Sequence, residues 1–82
     1  MTYNGFKKLS HNEQADCLWE KGKPVGSYKA ADAKFVLYQL EGFYVEAEYK
    51  TDFMEIIALR AMQTENIPEI YLDQVNISGL NH

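Results

Sequence analysis

The chain has 82 residues, with 8 Lys and Arg against 12 Asp and Glu, and a formal net charge of −4. A chain of this length forms one domain, because it cannot divide into two parts that each bury a core. The 46% content of hydrophobic residues is that of a folded protein and excludes disordered, collagen-like and coiled-coil chains. The negative charge gives no support to nucleic-acid binding, which needs a concentrated positive surface.

The sequence carries no sign of a membrane span or of secretion. Its longest apolar runs, 35–38 and 56–59, are far shorter than a spanning helix requires. Lys7 and Lys8 are not followed by the apolar region of a signal peptide. The single cysteine, Cys17, cannot form an internal disulfide. We therefore expect a cytoplasmic location.

The N-terminal part predicts a loosely held arm over residues 1–9, followed by a single α+β domain over residues 10–82. A helix should begin at Ser10, because Ser10 and Glu13 have the spacing of a capping box. Gly22 is expected to end this helix in a left-handed conformation. The apolar stripe of the helix is predicted to consist of Ala15, Leu18 and Trp19.

Residues 25–62 have the pattern of an antiparallel β-meander. The ranges 25–30, 35–40 and 43–50 are predicted strands, the first of them at an edge of the sheet. Residues 53–62 fit a helix or a strand, and we favour a fourth strand. Its Ile57, Leu59 and Ala61 would then face the third strand, while Arg60 would lie near Tyr44 in a cation–π contact.

The turn at 41–42 decides which face of the second strand is buried. A two-residue loop would align Val36 and Tyr38 with the apolar residues of the third strand, whereas a three-residue loop would align Phe35 and Leu37. Glu41 is poorly suited to a positive φ angle, so we favour the three-residue loop with Gly42 in the left-handed position.

The last predicted element is a helix that begins at Asn66, with a buried stripe of Ile67, Ile70, Tyr71 and Val75. The predicted fold class is therefore α+β: an antiparallel meander of three to four strands with an N-terminal and a C-terminal helix. Two short helices leave part of the apolar sheet surface uncovered, which indicates an interface. The candidate interface residues are Tyr38, Leu40, Tyr44, Met54, Ile56 and Met62.

No group of residues indicates catalysis, a cofactor or a metal. Glu46 and Glu48 lie on one face of a strand about 7 Å apart, a spacing that also fits paired catalytic carboxylates. We interpret them as a solvent-facing pair. Cys17 has only His11 as a possible base, nearly two helical turns away, so we interpret Cys17 as a structural residue.

The segments 36–46 and 70–78, VLYQLEGFYVE and IYLDQVNIS, resemble a set of small bacterial proteins of unknown function. This resemblance implies a bacterial α+β protein and no activity.

The sequence therefore predicts a non-enzymatic protein–protein interaction module that forms a homodimer, with no nucleic-acid or membrane partner. One alternative is a small-molecule binding protein whose aromatic pocket is lined by Trp19, Tyr38 or Tyr71. A further alternative is an acidic regulator of a basic partner. Its acidic residues would be Glu41, Glu46, Glu48, Asp52 and Glu55.

Overall fold

The computed structural model describes residues 1–50, 55–72 and 74, and it confirms the α+β class. The elements in these residues are α1 Tyr3–Lys7, α2 His11–Lys21, β1 Lys23–Ala30, β2 Ala33–Gln39, β3 Tyr44–Lys50, β4 Glu55–Met62, and the 3₁₀ turns Thr64–Asn66 and Glu69–Tyr71. The strands form one antiparallel sheet in the order β1-β2-β3-β4, as a simple meander. The helices precede the sheet, and residues 64–71, which hold the 3₁₀ turns and which we call the 3₁₀ segment, follow it.

The structure differs from the expected arm at residues 1–9, because a helix forms there. The hydroxyl of Thr2 accepts a hydrogen bond from the amide of Gly5 at 3.0 Å and so caps α1. The side chain of Phe6 is fully buried, and its ring lies 5.6 Å from that of Phe43. The ring of Tyr3 contacts the same Phe43 ring edge-on at 6.2 Å, so two aromatic residues hold this short helix on the sheet.

Helix α2 begins as predicted but buries a different stripe. The capping box is present, since Ser10 Oγ accepts from the amide of Glu13 and Glu13 Oε1 accepts from the amide of Ser10. Leu18 is buried as predicted, whereas Trp19 is 62% exposed and Cys17 takes the second buried position. The core-facing side of α2 is therefore rotated away from Trp19.

Gly22 ends α2, but not in the left-handed conformation. Its φ and ψ angles are −79° and 141°, which is extended backbone. A Cβ atom at Gly22 would lie 2.8 Å from the carbonyl oxygen of Leu18. The glycine is thus required by close approach of the backbone and not by a positive φ.

The β2–β3 hairpin corrects our preference for a three-residue loop. Gln39 pairs with Tyr44 and Tyr38 with Val45, and the amide of Leu40 donates to the carbonyl of Phe43 at 2.9 Å. This is the register of the two-residue loop. The objection to it does not apply, because only Gly42 of the two loop residues has a positive φ, +81°.

Strand β4 forms as predicted, with one irregularity. Ala61 pairs with Val45 and Leu59 with Ala47, but the register shifts at Glu48 and Tyr49 of β3. As a consequence Ile57 is the extra residue of a β-bulge and Ile56 pairs with Tyr49. Ile57, expected to face the third strand, is instead 49% exposed.

The sheet buries both of its faces. The helix face carries Val45 and Ala47 and packs on α1 and α2, with Phe6 and Leu18 in the same cluster. The turn face carries a second cluster, whose buried members are Leu37, Tyr44, Ile67 and Tyr71. A three-layer arrangement of helices, sheet and 3₁₀ turns therefore covers the apolar surface that two helices alone could not cover.

The C-terminal part differs from the predicted helix in residues 66–72. Asn66 is the last residue of one 3₁₀ turn, and a second turn spans Glu69–Tyr71 after Pro68. Ile67 and Tyr71 are buried as predicted, whereas Ile70 is exposed. Val75 lies outside the described residues. Among the described residues, no helix is long and apolar enough to cross a membrane.

Candidate functional site

Three of the six candidate interface residues are buried within the chain itself. Tyr38 and Leu40 belong to the helix-face cluster, and Tyr44 belongs to the turn-face cluster. All three are less than a tenth exposed. The expectation that these three side chains form an open surface is corrected, because the helices cover Tyr38 and Leu40 and the 3₁₀ segment covers Tyr44.

The other candidate interface residues lie on or near strand β4. Ile56 is partly buried against the helix-face cluster and Met62 against the turn-face cluster. Met54 lies outside the described residues. The candidate residues that keep exposed surface are therefore those of β4.

A polar network occupies the centre of the turn face. Glu46 lies in the middle of β3, and its side chain is buried, with the residue only 6% exposed. The hydroxyl of Tyr71 donates to Glu46 Oε2 at 2.6 Å, and Arg60 Nη1 donates to Glu46 Oε1 at 3.3 Å. We call these residues, together with Glu48, the Glu46 network.

Arg60 connects the two acids of the network. Its Nη2 donates to Glu48 Oε1 at 2.6 Å, while Nη1 contacts Glu46. The hydrogen bond to Glu48 is the main reason that the pKa of Arg60 is raised, with the charges of both acids adding to it. The expected cation–π contact with Tyr44 is replaced by these ion pairs, because Arg60 pairs with Glu46 across the strands.

Tyr71, from the 3₁₀ turn that packs on the sheet, is the remaining member of the Glu46 network. Its side chain is fully buried, and burial followed by the hydrogen bond to Glu46 raises the pKa of Tyr71 well above its usual value. The ring of Tyr28 packs edge-on against Tyr71 at 5.4 Å and stacks on Phe35 at 4.7 Å. Burial and the nearby Glu46 also raise the pKa of Tyr28.

This arrangement corrects our interpretation of Glu46 and Glu48 as a solvent-facing pair. Glu46 is enclosed, and both of its oxygens are engaged by donors from its own chain. Glu48 is the more exposed of the two and shares Arg60. The Glu46 network satisfies a buried charge, as a structural network does, and it joins the sheet to the 3₁₀ segment. No group of three or more His, Cys, Asp or Glu side chains suited to a metal ion occurs in the described ranges.

A second polar pair lies on the helix face. The hydroxyls of Tyr38 and Tyr49 are 2.6 Å apart in a buried hydrogen bond. Burial and this bond raise the pKa of Tyr49. The pair lets two tyrosines enter an apolar cluster without leaving an unsatisfied hydroxyl.

The three aromatic residues expected around a ligand pocket are not brought together. Trp19 is on the exposed side of α2, Tyr38 is under the helices, and Tyr71 is on the opposite face of the sheet. A surface depression of about 300 Å³ lies elsewhere, between Met1, Lys21, Leu40 and Glu41. Its lining is not aromatic.

The role of Tyr71 is what sequence reasoning missed. The spacing of apolar residues identified Tyr71 as buried, but a buried tyrosine hydroxyl also needs a partner. Among the acids of the strands, Glu46 lies at the centre of its strand, which is a weak signal for that partner. The alternation of apolar and polar residues along β3 instead predicts that the side chain of Glu46 faces solvent.

No family model, curated protein or solved structure matches this chain. The resemblance to small bacterial proteins of unknown function stays a prediction.

Proposed function

We propose that this protein is a non-enzymatic interaction module that forms a homodimer through the outer edge of strand β4. The observation that carries the proposal is the composition and position of this strand. It lies at one end of the sheet order, spans Glu55–Met62, and has Glu55 and Arg60 as its only charged residues. An apolar edge strand is a template for pairing with another chain.

The opposite edge of the sheet differs in ways that discourage pairing. Strand β1 contains Pro24, which has no amide donor, and its register shifts between Pro24 and Gly26. The amide of Ser27 donates to the side chain of Gln74 at 2.8 Å. Proline, a bulge and a side-chain cover are devices that protect edges, and β1 has all three.

Within the residues that the structure describes, strand β4 shows one of these devices, a bulge. Its bulge is at Ile57, and the five residues from Ala58 to Met62 continue the regular ladder with β3. Ile57 is 49% exposed, a large fraction for an isoleucine in a sheet. This contrast between the two edges supports β4 as the interacting edge.

The Glu46 network supports a non-enzymatic function. A catalytic carboxylate must reach its substrate, whereas Glu46 is enclosed by Tyr71 and Arg60. The same enclosure weakens the acidic-regulator alternative, because Glu46 and Glu48 are engaged by Arg60. The small-molecule alternative has no aromatic pocket around Trp19, Tyr38 and Tyr71 to support it.

The proposal is tested by measuring the mass of the protein in solution. Sedimentation velocity and light scattering over micromolar to millimolar concentration should give a mass that approaches twice the chain mass of 9.5 kDa. Ile57→Lys should hold the protein as a monomer. Ile70→Lys is the matched control, because Ile70 is equally exposed, at 49%, on a different surface.

A wild-type protein that stays monomeric at millimolar concentration would rule out the proposal. Loss of the dimer in Ile70→Lys but not in Ile57→Lys would move the interface to the 3₁₀ segment and would also contradict it.

A further inference from the structure

Resting on the proposed homodimer, we infer that two β4 strands pair antiparallel with Ala58 on the two-fold axis, so that Glu55 of each copy lies opposite Arg60 of the other. The result is one continuous eight-stranded sheet. The inference follows from which residues of β4 share a face and from the charges next to them.

The pairing of β4 with β3 assigns each residue of β4 to a face. Glu55 pairs with Lys50, Ala58 with Glu48 and Arg60 with Glu46, so these three lie on the turn face. Ile56 and Leu59 belong to the helix-face cluster. Ile57 is the bulged residue and is left out of the alternation.

A two-fold axis limits the possible registers. Both copies use the same surface, and a continuous sheet keeps each face on its own side, so every residue must oppose one from the same face. An axis at Arg60 would set two guanidinium groups opposite each other, which is unfavourable. An axis at Leu59 would set Glu55 opposite Met62 of the other copy, so that the carboxylate would face an apolar side chain and not a charge of opposite sign.

An axis at Ala58 gives the most favourable pairs. Glu55 of each copy then opposes Arg60 of the other copy, and Ile56 of each copy opposes Leu59 of the other copy. The two-fold axis thus generates each of these pairs twice. The smallest side chain of the segment, Ala58, meets its own copy on the axis. The bulged Ile57 residues flank the axis symmetrically.

This register also continues a charge pattern that is present within each copy. On the turn face, Lys50 already opposes Glu55, and Arg60 already opposes Glu46. Joining two copies at Ala58 produces a row of charged residues across four strands. The row starts with Lys50 and Glu55 of the first copy and continues with Arg60 and Glu46 of the second copy. The signs alternate along the whole row, which occurs twice in the dimer.

Arg60 is able to take part in this row. Its side chain is 48% exposed although two of its nitrogens already contact Glu46 and Glu48. A guanidinium group has five N–H donors, so donors remain for a third carboxylate.

Disulfide trapping tests the register in the full chain. Ala58→Cys should form a covalent dimer under a mild oxidant, because cross-strand partners have Cβ atoms about 5 Å apart. Ala61→Cys is the matched control and should not cross-link. In addition, Glu55→Arg should weaken dimerisation by about tenfold or more, since two opposite-charge pairs become like-charge pairs. Glu69→Arg carries the same charge change at an exposed site in the turn Glu69–Tyr71, which contacts β1 at the opposite edge, and should leave the dimer unchanged.

The outcomes separate the two proposals. A monomeric wild type overturns both. A wild-type dimer that Ile57→Lys breaks, but in which Ala58→Cys fails to cross-link and Glu55→Arg has no effect, overturns this register and leaves the homodimer in place. Cross-linking of Ala61→Cys in preference to Ala58→Cys also overturns it.

Discussion

Replacing Tyr71 with Phe isolates the hydrogen bond that joins the sheet to the 3₁₀ segment. The change removes only the hydroxyl that donates to Glu46 Oε2 at 2.6 Å and keeps the fully buried ring in place. Hydrogen bonds to charged groups contribute about 1.5–3 kcal/mol, and a buried oxygen left without its donor adds a desolvation penalty. Arg60 remains on Glu46 Oε1 and limits the loss. We therefore expect Tyr71→Phe to lower the free energy of unfolding by about 2 kcal/mol.

The measurement is urea unfolding followed by circular dichroism, with the midpoint and the m-value fitted separately. Tyr28→Phe is the matched control, because its ring packs on Tyr71 while its hydroxyl makes no hydrogen bond to the described residues. The control should change the free energy of unfolding by less than about 0.5 kcal/mol. Equal effects of the two substitutions, or a Tyr71→Phe variant as stable as wild type, would refute the role assigned to Glu46. A double-mutant cycle with Glu46→Gln would then show no coupling.

Four further outcomes are expected. Because burial and the bond to Glu46 raise the pKa of Tyr71, the native state keeps a proton that the unfolded chain loses. The contribution of this proton to the free energy of unfolding is complete below about pH 10, the pKa of tyrosine in the unfolded chain, and falls as the pH rises further. The free energy of unfolding, measured with urea at a series of pH values, should fall less steeply in Tyr71→Phe than in wild type. Gly22→Ala should lower the thermal midpoint, at a cost of about 1–3 kcal/mol, because its Cβ would meet the Leu18 carbonyl at 2.8 Å. Ser10→Ala should lose about 1 kcal/mol in urea unfolding, since the cap is removed. Trp19→Ser should unfold within about 0.5 kcal/mol of wild type, because Trp19 is 62% exposed.

The elements that sequence predicted well are those specified by local chemistry. The capping box of Ser10 and Glu13 depends on residues three apart, and it forms as the spacing indicates. The alternation in β3 likewise predicts a strand with Val45 and Ala47 together on one buried face, which is the helix face. Such features need no knowledge of the rest of the chain.

The errors arose where distant segments decide the outcome. The helix that replaces the expected arm at residues 1–9 depends on contacts of Tyr3 and Phe6 with Phe43, which lies far along the chain in the β2–β3 hairpin. The loop at 41–42 is the exception, because its error is local: the objection to Glu41 requires a positive φ at both loop residues, whereas only Gly42 takes one. The bulge at Ile57 is invisible to a period of two, because one extra residue shifts the alternation without changing the composition.

The surplus of apolar residues remains the reason to expect a partner, but the structure places the expected contact at an edge of the sheet and not on a face. The sequence placed it on an open sheet face that included Tyr38 and Tyr44, and both of these side chains are buried within the chain. Covering both faces leaves the sheet only its edges for pairing with a second chain. Of these, β1 is protected by Pro24 and by the contact of Ser27 with Gln74, whereas β4 presents an apolar strand with a charge at each side of its centre. A partner that adds to this sheet is therefore expected at β4, and the alternating charges of Lys50 and Glu55 favour a second copy of the same strand.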